Sequence, residues 1–330
     1  MKKWTRWILT VLLAAALVGC GRENQEQEER IYPREAVELI APAGPGGGYD
    51  LTVRAMAQCL QETGLVSVPL PVTNKPGGGG RVCLEYMHEK RGSSDMLVVY
   101  SPPLCLINLN GSTELNYREN TTPIAKLAVD YGCFAVRADS PYQTLNQVMD
   151  QLKADPGSVK VGGTSSEYSM DHVQFLKIAH AAGVEALQEI PYEGFENGGV
   201  LAQLMGERVD VMSAGISDVL GLVESGDIRV LAVTSPNHLE GEALSQIPTC
   251  RELGIDADFS NWRGIFGPED MPEEAVEYWG ETLCKMAGTK EWAAACDRYG
   301  WTVDYQGRDD FCKFLDEVNE EYAQLLDEIW

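Results

Sequence analysis

The chain of 330 residues carries 26 basic and 50 acidic side chains, so its formal net charge at pH 7 is −24. This charge argues against nucleic acid as a partner, because the protein surface would repel phosphates. The length allows two domains of ordinary size. Four histidines without an HExxH motif and nine cysteines without zinc-type spacing lead us to expect no metal, no cofactor and no catalytic residues.

Residues 1–20 have the pattern of a bacterial export signal. Three basic side chains precede an apolar run at 7–18, whose 12 residues are fewer than the roughly 20 needed to cross a bilayer. The residues before Cys20 resemble a lipobox, which implies cleavage there and lipidation of Cys20. An ordinary signal peptide with an incidental cysteine is the alternative. We expect a chain anchored by lipid to the outer side of the cell membrane.

The segment at 21–35 is charged and has no apolar periodicity, so we interpret it as a flexible acidic tether. Removal of the signal takes away three positive charges and changes the formal net charge to −27. Eight cysteines then remain, and the sequence does not choose among their pairings. Most are expected to be buried apolar groups.

The first element of the folded part is a strand-to-helix turn. Apolar residues at 37–40 predict a buried strand, and we place Asp50 as the N-cap of the following helix. The loop at 44–48, GPGGG, lacks Cβ atoms at most positions, so its N–H groups can point into one concavity at the positive end of the helix. An anionic oxygen is the expected ligand. A glycine-rich turn without a ligand is the alternative.

Two more strands are predicted at 68–72 and 96–100, and NKPGGGG at 74–80 repeats the glycine-rich connection. Ser101 follows the third strand. If the sheet is parallel, the loop at 44–48 and Ser101 emerge at the same carboxyl edge, where ligands of open α/β sheets bind.

A second set of units is predicted after residue 120, with strands at 124–129, 134–136, 159–161, 187–191 and 208–213. The loop at 162–169, GGTSSEYS, again joins a strand to a helix. It predicts a second anion-binding turn, in which hydroxyl groups add donors to the N–H groups. Simple N-capping by Ser169 is the alternative.

The last part of the chain returns to the first set of units. A strand at 228–235 is long enough to connect two domains, a capping-box helix is expected at 249–254, and an aromatic strand at 259–267. The final helix, 311–329, has apolar residues at i, i+3, i+4 and i+7, so it is expected to dock by one face. A partner-binding helix is the alternative.

The ordered motifs PAGPGGGYDLTVR, NKPGGGG, AVRADSPYQTL, IPYEG, GERVDVMSAG, GDIRVLAVTS and NWRGIFGPEDMP resemble the extracytoplasmic solute receptors of tripartite tricarboxylate transporters, also called Bug-type receptors. NWRGIFGP and Asp171 resemble the citrate branch. The resemblance implies an α/β fold of the two-lobed periplasmic-binding type II (Venus flytrap) class, each lobe a mainly parallel sheet flanked by helices. Lobe 1 would contain 36–130 and 236–330, and lobe 2 would contain 131–235.

The resemblance also implies a small tricarboxylate or dicarboxylate ligand between the loops, held largely by main-chain N–H groups, hydroxyls and waters. Carried over by position, the implied ligand-binding residues are Pro45, Gly46, Gly47, Gly48, Tyr49, Asp50, Ser101, Thr164, Ser165, Ser166, Ser169, Asp171, Tyr192, Glu193, Gly194, Ser213 and Arg263.

Two positions depart from the pattern of the family. Many relatives have Phe or Thr in place of Tyr49 and Lys in place of Glu193, and Glu193 would repel a carboxylate unless it faces a hydroxyl, an amine or water. Arg263 and Arg81 are candidates to pair with a second carboxylate. A structural or surface role is the alternative for both.

The leading hypothesis is a monomeric, lipid-anchored receptor that delivers a carboxylate to the permease of a tripartite tricarboxylate-type transporter. A ligand-binding partner of a signalling system would use the same pocket. An exported hydrolase or lyase on the same scaffold is disfavoured, because the sequence has no GxSxG elbow, no metal-ligand spacing and no evident nucleophile–base pair.

Overall fold

Two β-sheets with helices packed around them form the folded part of the chain. The computed structural model describes residues 32–195, 199–241 and 243–329, so the export signal, Cys20 and most of the tether lie outside the described residues. Residues from Glu35 onward form one unit.

The strands in chain order are β1 (Glu38–Ala41), β2 (Val72–Asn74), β3 (Met96–Tyr100), β4 (Thr121–Val129), β5 (Gly132–Arg137), β6 (Val161–Gly163), β7 (Tyr192–Gly194), β8 (Val211–Gly215), β9 (Ile228–Val233), β10 (Trp262–Pro268) and β11 (Thr302–Gly307). The helices are α1 (Gly48–Glu62), α2 (Arg81–Glu89), α3 (Pro103–Leu109), α4 (Tyr117–Asn120), α5 (Leu145–Ala154), α6 (Met170–Ala181), α7 (Val200–Met205), α8 (Ile216–Ser225), α9 (Glu273–Ala287), α10 (Lys290–Tyr299) and α11 (Arg308–Ile329). Single 3₁₀ turns lie at Gly78–Gly80, Pro156–Ser158 and Leu187–Glu189.

Both sheets are mixed rather than mainly parallel. The first has the order β11-β4-β10-β3-β1-β2 and the second the order β7-β6-β8-β5-β9. Parallel pairing joins β1 to β2 and β3, and β6 to β7 and β8. The remaining pairings are antiparallel. They join β10 to β3 and β4, β11 to β4, and β5 to β8 and β9. The parallel strands β1, β2, β3 and β6 are the ones followed by the loops that the sequence singles out.

The chain passes between the two sheets twice, once after β4 and once between β9 and β10. The two passages are joined by hydrogen bonds. Gly132 N donates to the Thr234 hydroxyl at 2.9 Å, and that hydroxyl donates to Phe259 O at 2.8 Å. Asp130 N donates to Asn261 O at 3.0 Å. These bonds hold the two passages side by side next to the facing loop edges of the sheets.

Helix α11 docks on the first sheet by one face, as its apolar spacing predicts. Phe311 packs against Trp262 and Phe266 of β10, with ring centroids 5.8 Å and 5.3 Å apart. All seven residues of β10 are buried, and so is the stripe of α11 that includes Leu315 and Tyr322. Burial of aromatic rings contributes strongly to core stability. The stripe is therefore part of the core and is not free for a partner.

Several expected boundaries are wrong. The second strand is β2, two to four residues later than expected, and the expected strand at 187–191 is a 3₁₀ turn followed by β7. The reciprocal Thr249–Glu252 hydrogen bonds exist, at 3.0 Å and 3.2 Å, but they close a turn and no helix follows. Capping bonds of this kind close isolated turns as well as helices.

The eight cysteines from Cys59 to Cys312 are free thiols, and all but Cys284 and Cys312 are buried. In the part of the chain that the structure describes, no helix has the length and apolar character needed to cross a membrane. The same residues contain no group of three or more His, Cys, Asp or Glu side chains placed to hold a metal ion.

Candidate functional site

A cleft of about 850 Å³ lies between loops that follow strands of the two sheets. Its wall from the first sheet contains the loops after β1, β2 and β3, and its wall from the second sheet contains the loop after β6 and the start of α8. The lining residues are Pro42, Ala43, Gly44, Pro45, Gly46, Gly47, Gly48, Tyr49, Pro76, Gly77, Gly78, Gly79, Gly80, Ser101, Pro103, Asp130, Thr164, Ser165, Ser166, Ser169, Met170, Asp218, Asn261 and Arg263.

The loop after β1 brings main-chain N–H groups to the cleft. Gly46 has φ +85°, a conformation that favours glycine, and α1 begins two residues later at Gly48. The first N–H groups of a helix have no partner within it and lie at its positive end. The edge of the cleft formed by Gly47 and Gly48 is therefore suited to an anionic oxygen.

Asp50 supports this loop from behind and does not line the cleft. It is not the N-cap, because the helix starts earlier and Gly47 holds that position. Its carboxylate accepts hydrogen bonds from Gly46 N, Arg54 Nε and Asn74 Nδ2, each at 2.9 Å. Burial opposes ionisation, but these three donors outweigh it and lower the pKa of Asp50 below its usual value. Asp50 is thus ionised, and its hydrogen bonds fix the shape of the loop.

Tyr49 and Ser101 come together in the cleft wall. The Ser101 hydroxyl donates to Tyr49 Oη at 2.8 Å, which leaves the proton of Tyr49 for another acceptor. Burial raises the pKa of Tyr49 to about 12, although the Ser101 hydrogen bond and the charge of Arg263 oppose the shift. Tyr49 is therefore a neutral hydroxyl donor at neutral pH.

The loop after β6 is partly filled by a carboxylate of the protein itself. Asp171 Oδ2 accepts from Thr164 N at 2.6 Å, from the Thr164 hydroxyl at 2.7 Å and from Ser165 N at 3.0 Å. Asp171 is fully buried, and burial raises its pKa to about 6 despite these donors. Asp171 is hence a support beneath the loop, and the expected second anion-binding turn keeps only part of its donors for a ligand.

Three predicted residues at 192–194 lie behind the cleft. Tyr192 Oη donates to Ser165 O at 2.7 Å, and its ring stacks on His172 with centroids 4.2 Å apart. The Glu193 side chain is exposed on the edge strand β7, and Gly194 pairs with Gly163 in the sheet. Because β7 runs alongside β6, its end supports the loop and does not reach the ligand space.

Ser213 and Arg81 are also outside the cleft. The Ser213 hydroxyl is buried in the core, where it donates to Asp171 O at 2.8 Å and accepts from Gln174 Nε2 at 3.0 Å. Arg81 points along its own helix to Glu85, with nitrogen and oxygen 2.7 Å apart and both side chains partly exposed. Ser169 lines the cleft as the N-cap residue of α6, but its side chain makes no capping hydrogen bond.

Arg263 lines the cleft as predicted, but it is already paired. Its Nη2 lies 2.8 Å from Asp130 Oδ2, and its Nη1 donates to Asn261 Oδ1. Its Nε is buried without a partner among the described residues. Burial raises the pKa of Asp130, while Arg263 and Ser217 oppose the shift. The sequence pattern did not identify Asp130, because it lies 133 residues from its partner.

Asp218 is a second acidic residue that the sequence reading missed. It accepts from Gly215 N at 3.2 Å at the start of α8, and its side chain reaches water inside the cleft. The walls of the cleft nevertheless surround the Asp218 carboxylate and reduce its solvation. This desolvation and the nearby Asp130 and Asp171 carboxylates raise the pKa of Asp218 to about 7. The glycine-rich loop after β2 also lines the cleft. The sequence showed that it repeats the first loop, but its residues were not among the predicted ligand-binding residues.

Two facing sheets, two adjacent chain passages and a cleft between loop edges define a two-lobed solute-binding protein. Solved structures with this fold include the Bug protein described as periplasmic binding protein BugD, with TM-score 0.76 and 19% identity over 90% of this chain and 98% of that chain. Another is R. palustris Rpa4515 with adipate, with TM-score 0.80 and 19% identity over 91% of this chain and 98% of that chain.

The family follows from the sequence. The profile described as "Tripartite tricarboxylate transporter family receptor" matches residues 53–329, and the chain belongs to this family. Protein BugT of Bordetella pertussis is 26% identical over 249 residues, which are 74% of each chain. The predicted resemblance to Bug-type receptors and the predicted α/β binding-protein fold are confirmed.

Proposed function

We propose that this receptor captures a small organic carboxylate in the cleft and delivers it to the membrane permease of a tripartite tricarboxylate-type transporter. The observation that carries the proposal is the meeting of the N-terminus of α1, the Tyr49 hydroxyl and the Ser166 loop around one cleft. Their N–H and O–H groups are all hydrogen-bond donors. Adipate, found with a relative of this fold, belongs to the class of ligand that such donors suit.

The two sheets act as lobes with boundaries near residues 130 and 235, and the ligand favours the closed arrangement by touching both walls. The chain works outside the cytoplasm as a monomer held by lipid on Cys20, and it carries no catalytic activity. Dicarboxylates and tricarboxylates are the ligands that the resemblance favours.

A thermal-shift screen of the purified protein against organic acids tests ligand capture directly. A ligand that binds the folded form raises the melting temperature in a concentration-dependent way. No shift with any carboxylate would contradict the proposal, and loss of the acid with appearance of a product would indicate an enzyme. Uptake of the same acid by cells with and without the permease separates transport from sensing.

Replacement of Ser166 by alanine tests the second wall of the cleft. Ser166 lines the cleft, and its hydroxyl is a donor that a carboxylate would accept from. We expect the binding free energy to weaken by about 1 kcal/mol or more, measured by calorimetric titration. Ser158→Ala, which changes a hydroxyl on an exposed turn, is the control. Unchanged affinity in Ser166→Ala would remove this hydroxyl from the site.

Affinity for the anionic ligand is expected to increase as the pH falls from 8 to 6. Asp218 has a pKa raised to about 7, and its ionised form repels a bound carboxylate. The complex therefore favours the protonated form, so binding takes up a proton and tightens below the pKa, by up to about tenfold in all. Titration calorimetry at several pH values measures this. In Asp218→Asn, which keeps the acceptor for Gly215 N, the profile should be flat, and a flat wild-type profile would contradict the expectation.

A further inference from the structure

The carboxylate of Asp130 is held as a bound carboxylate ligand would be. Its Oδ2 accepts from Arg263 Nη2 at 2.8 Å and from the Ser217 hydroxyl at 2.7 Å, and its Oδ1 accepts from Ser217 N at 3.3 Å. Ser217 is the second residue of α8, so its N–H belongs to the positive end of that helix. A guanidinium, a hydroxyl and a helix N-terminus are donors that proteins use to bind carboxylates.

The protein is shaped around this carboxylate and its cation. A Cβ on Gly215 would lie 2.6 Å from Asp130 Oδ2, and a Cβ on Gly48 would lie 2.8 Å from Arg263 Nη2. Asp130 is 1% exposed and Arg263 is 4% exposed, yet both line the cleft. The two glycines therefore make room for a fixed ion pair in the cleft wall.

The charge left over in the cleft is negative. Arg263 is the only lysine or arginine among the described residues that line it, and its charge already faces Asp130. Asp218 is the remaining charged group in the lining. One carboxylate of a ligand can accept hydrogen bonds from the N–H groups of the loop after β1. A second carboxylate would find no uncompensated cation and would be repelled by Asp218.

We propose that Asp130 permanently occupies a second carboxylate subsite, so that the cleft selects ligands with one carboxylate group over dicarboxylates and tricarboxylates. This inference rests on the proposed function, since it takes carboxylate capture as given. It defines the ligand as one carboxylate joined to an uncharged polar or cationic group. It replaces the dicarboxylate and tricarboxylate classes that the resemblance favours.

Matched pairs of ligands test the selection in the wild-type protein. Succinate and adipate are compared with their monoamides, which have the same length and shape but one charge fewer. We expect the monoamide of the better-fitting length to bind about tenfold more tightly than its dicarboxylate, as measured by calorimetric titration at pH 8.

Replacement of Asp130 should reverse the preference. Asp130→Ala empties the subsite and frees Arg263 and Ser217, so the dicarboxylate is expected to bind about tenfold more tightly than its monoamide. Asp130→Asn keeps the shape, removes only the charge and should at least cancel the preference. It also covers the case in which the alanine variant does not fold.

Asp304→Ala is the matched control. Asp304 pairs at 2.7 Å with Lys126, whose side chain is 3% exposed, so this variant also leaves a buried cation without its partner. Asp304 and Lys126 are not among the lining residues of the cleft. The preference for the monoamide should stay as in wild type.

Two results would overturn the inference. One is a wild-type protein that binds a dicarboxylate as tightly as its monoamide, and the other is an unchanged preference in both Asp130 variants. A protein that binds no acid of the thermal-shift screen, in wild type or in either variant, would overturn the proposed function as well. The pattern across ligands therefore tells the two failures apart.

Discussion

Replacing Gly47 by valine is expected to abolish carboxylate binding while the protein remains folded. Gly47 has φ −80° and ψ 168°, an extended conformation that valine adopts readily. A Cβ there would contact Gly44 O at 3.7 Å, an ordinary distance. Because Gly47 lines the cleft, the added isopropyl group takes the space that a carboxylate needs. We expect affinity to fall by more than about a hundredfold, or ~3 kcal/mol.

Calorimetric titration and chemical unfolding of the Gly47→Val variant measure binding and stability separately. The control is Gly221→Val, at an exposed position of α8 where a Cβ would meet nothing within 4 Å. It should bind as wild type does. If the affinity of Gly47→Val is within a few-fold of the wild-type affinity, the anion does not bind at the loop after β1.

Replacing Asp171 by alanine is expected to lower the free energy of unfolding by about 3 kcal/mol and to weaken ligand binding. Thr164 N, the Thr164 hydroxyl and Ser165 N all lose their acceptor. A fully buried donor without a partner costs roughly 1–3 kcal/mol, and these three are partly buried, so each is expected to cost about 1 kcal/mol. Removal of a buried carboxylate offsets part of this cost. The loop that carries Ser166 then loses its support. Urea unfolding with an unchanged m-value measures the loss.

The size of this loss should depend on pH. The pKa of Asp171 is raised from 3.8 to about 6 in the folded protein, so its contribution to stability is fully present below pH 4 and is lost as the pH rises through 6. The difference between wild type and Asp171→Ala should therefore be larger at pH 4.5 than at pH 7.5. Asp210→Ala removes an acceptor for one exposed N–H, that of Lys160, and should cost less at both pH values. Equal losses in the two variants would contradict the assigned role.

The sequence predicted the parts of the cleft that depend on local rules. The loop after β1, Ser101 and the loop after β6 all follow parallel strands, and such strands end at one edge of a sheet. Glycine and serine at those ends are visible without a structure. This is why most residues placed on these three loops line the cleft.

The sequence could not show which way a polar side chain points. Asp50 and Asp171 lie in the first turns of their helices, where a carboxylate can face either a ligand or the loop behind it. Both face the loop. Ser213 was expected at the end of a strand, but it lies in the middle of β8 and is turned into the core. The three residues at 192–194 form the edge strand β7 itself and miss the cleft for that reason.

Local sequence patterns also could not predict which residues far apart in the chain pair with each other. Asp130 is one of two residues between β4 and β5, and nothing near it in the chain indicates Arg263 as its partner. The same holds for Asp218, whose position in a helix cap suggests a local role alone. The charge of the cleft follows from these pairings, so it became visible only when the two sheets were placed together.

In the proposed function the ligand is held largely by main-chain N–H groups, which every amino acid except proline carries. Ordinary side-chain replacement cannot delete such donors, so relatives with little sequence in common can inherit the same anion-holding edge. What differs between relatives is the set of side chains around that edge. Differences in ligand specificity among these receptors would then arise from side chains that fill the remaining space or neutralise charges in it.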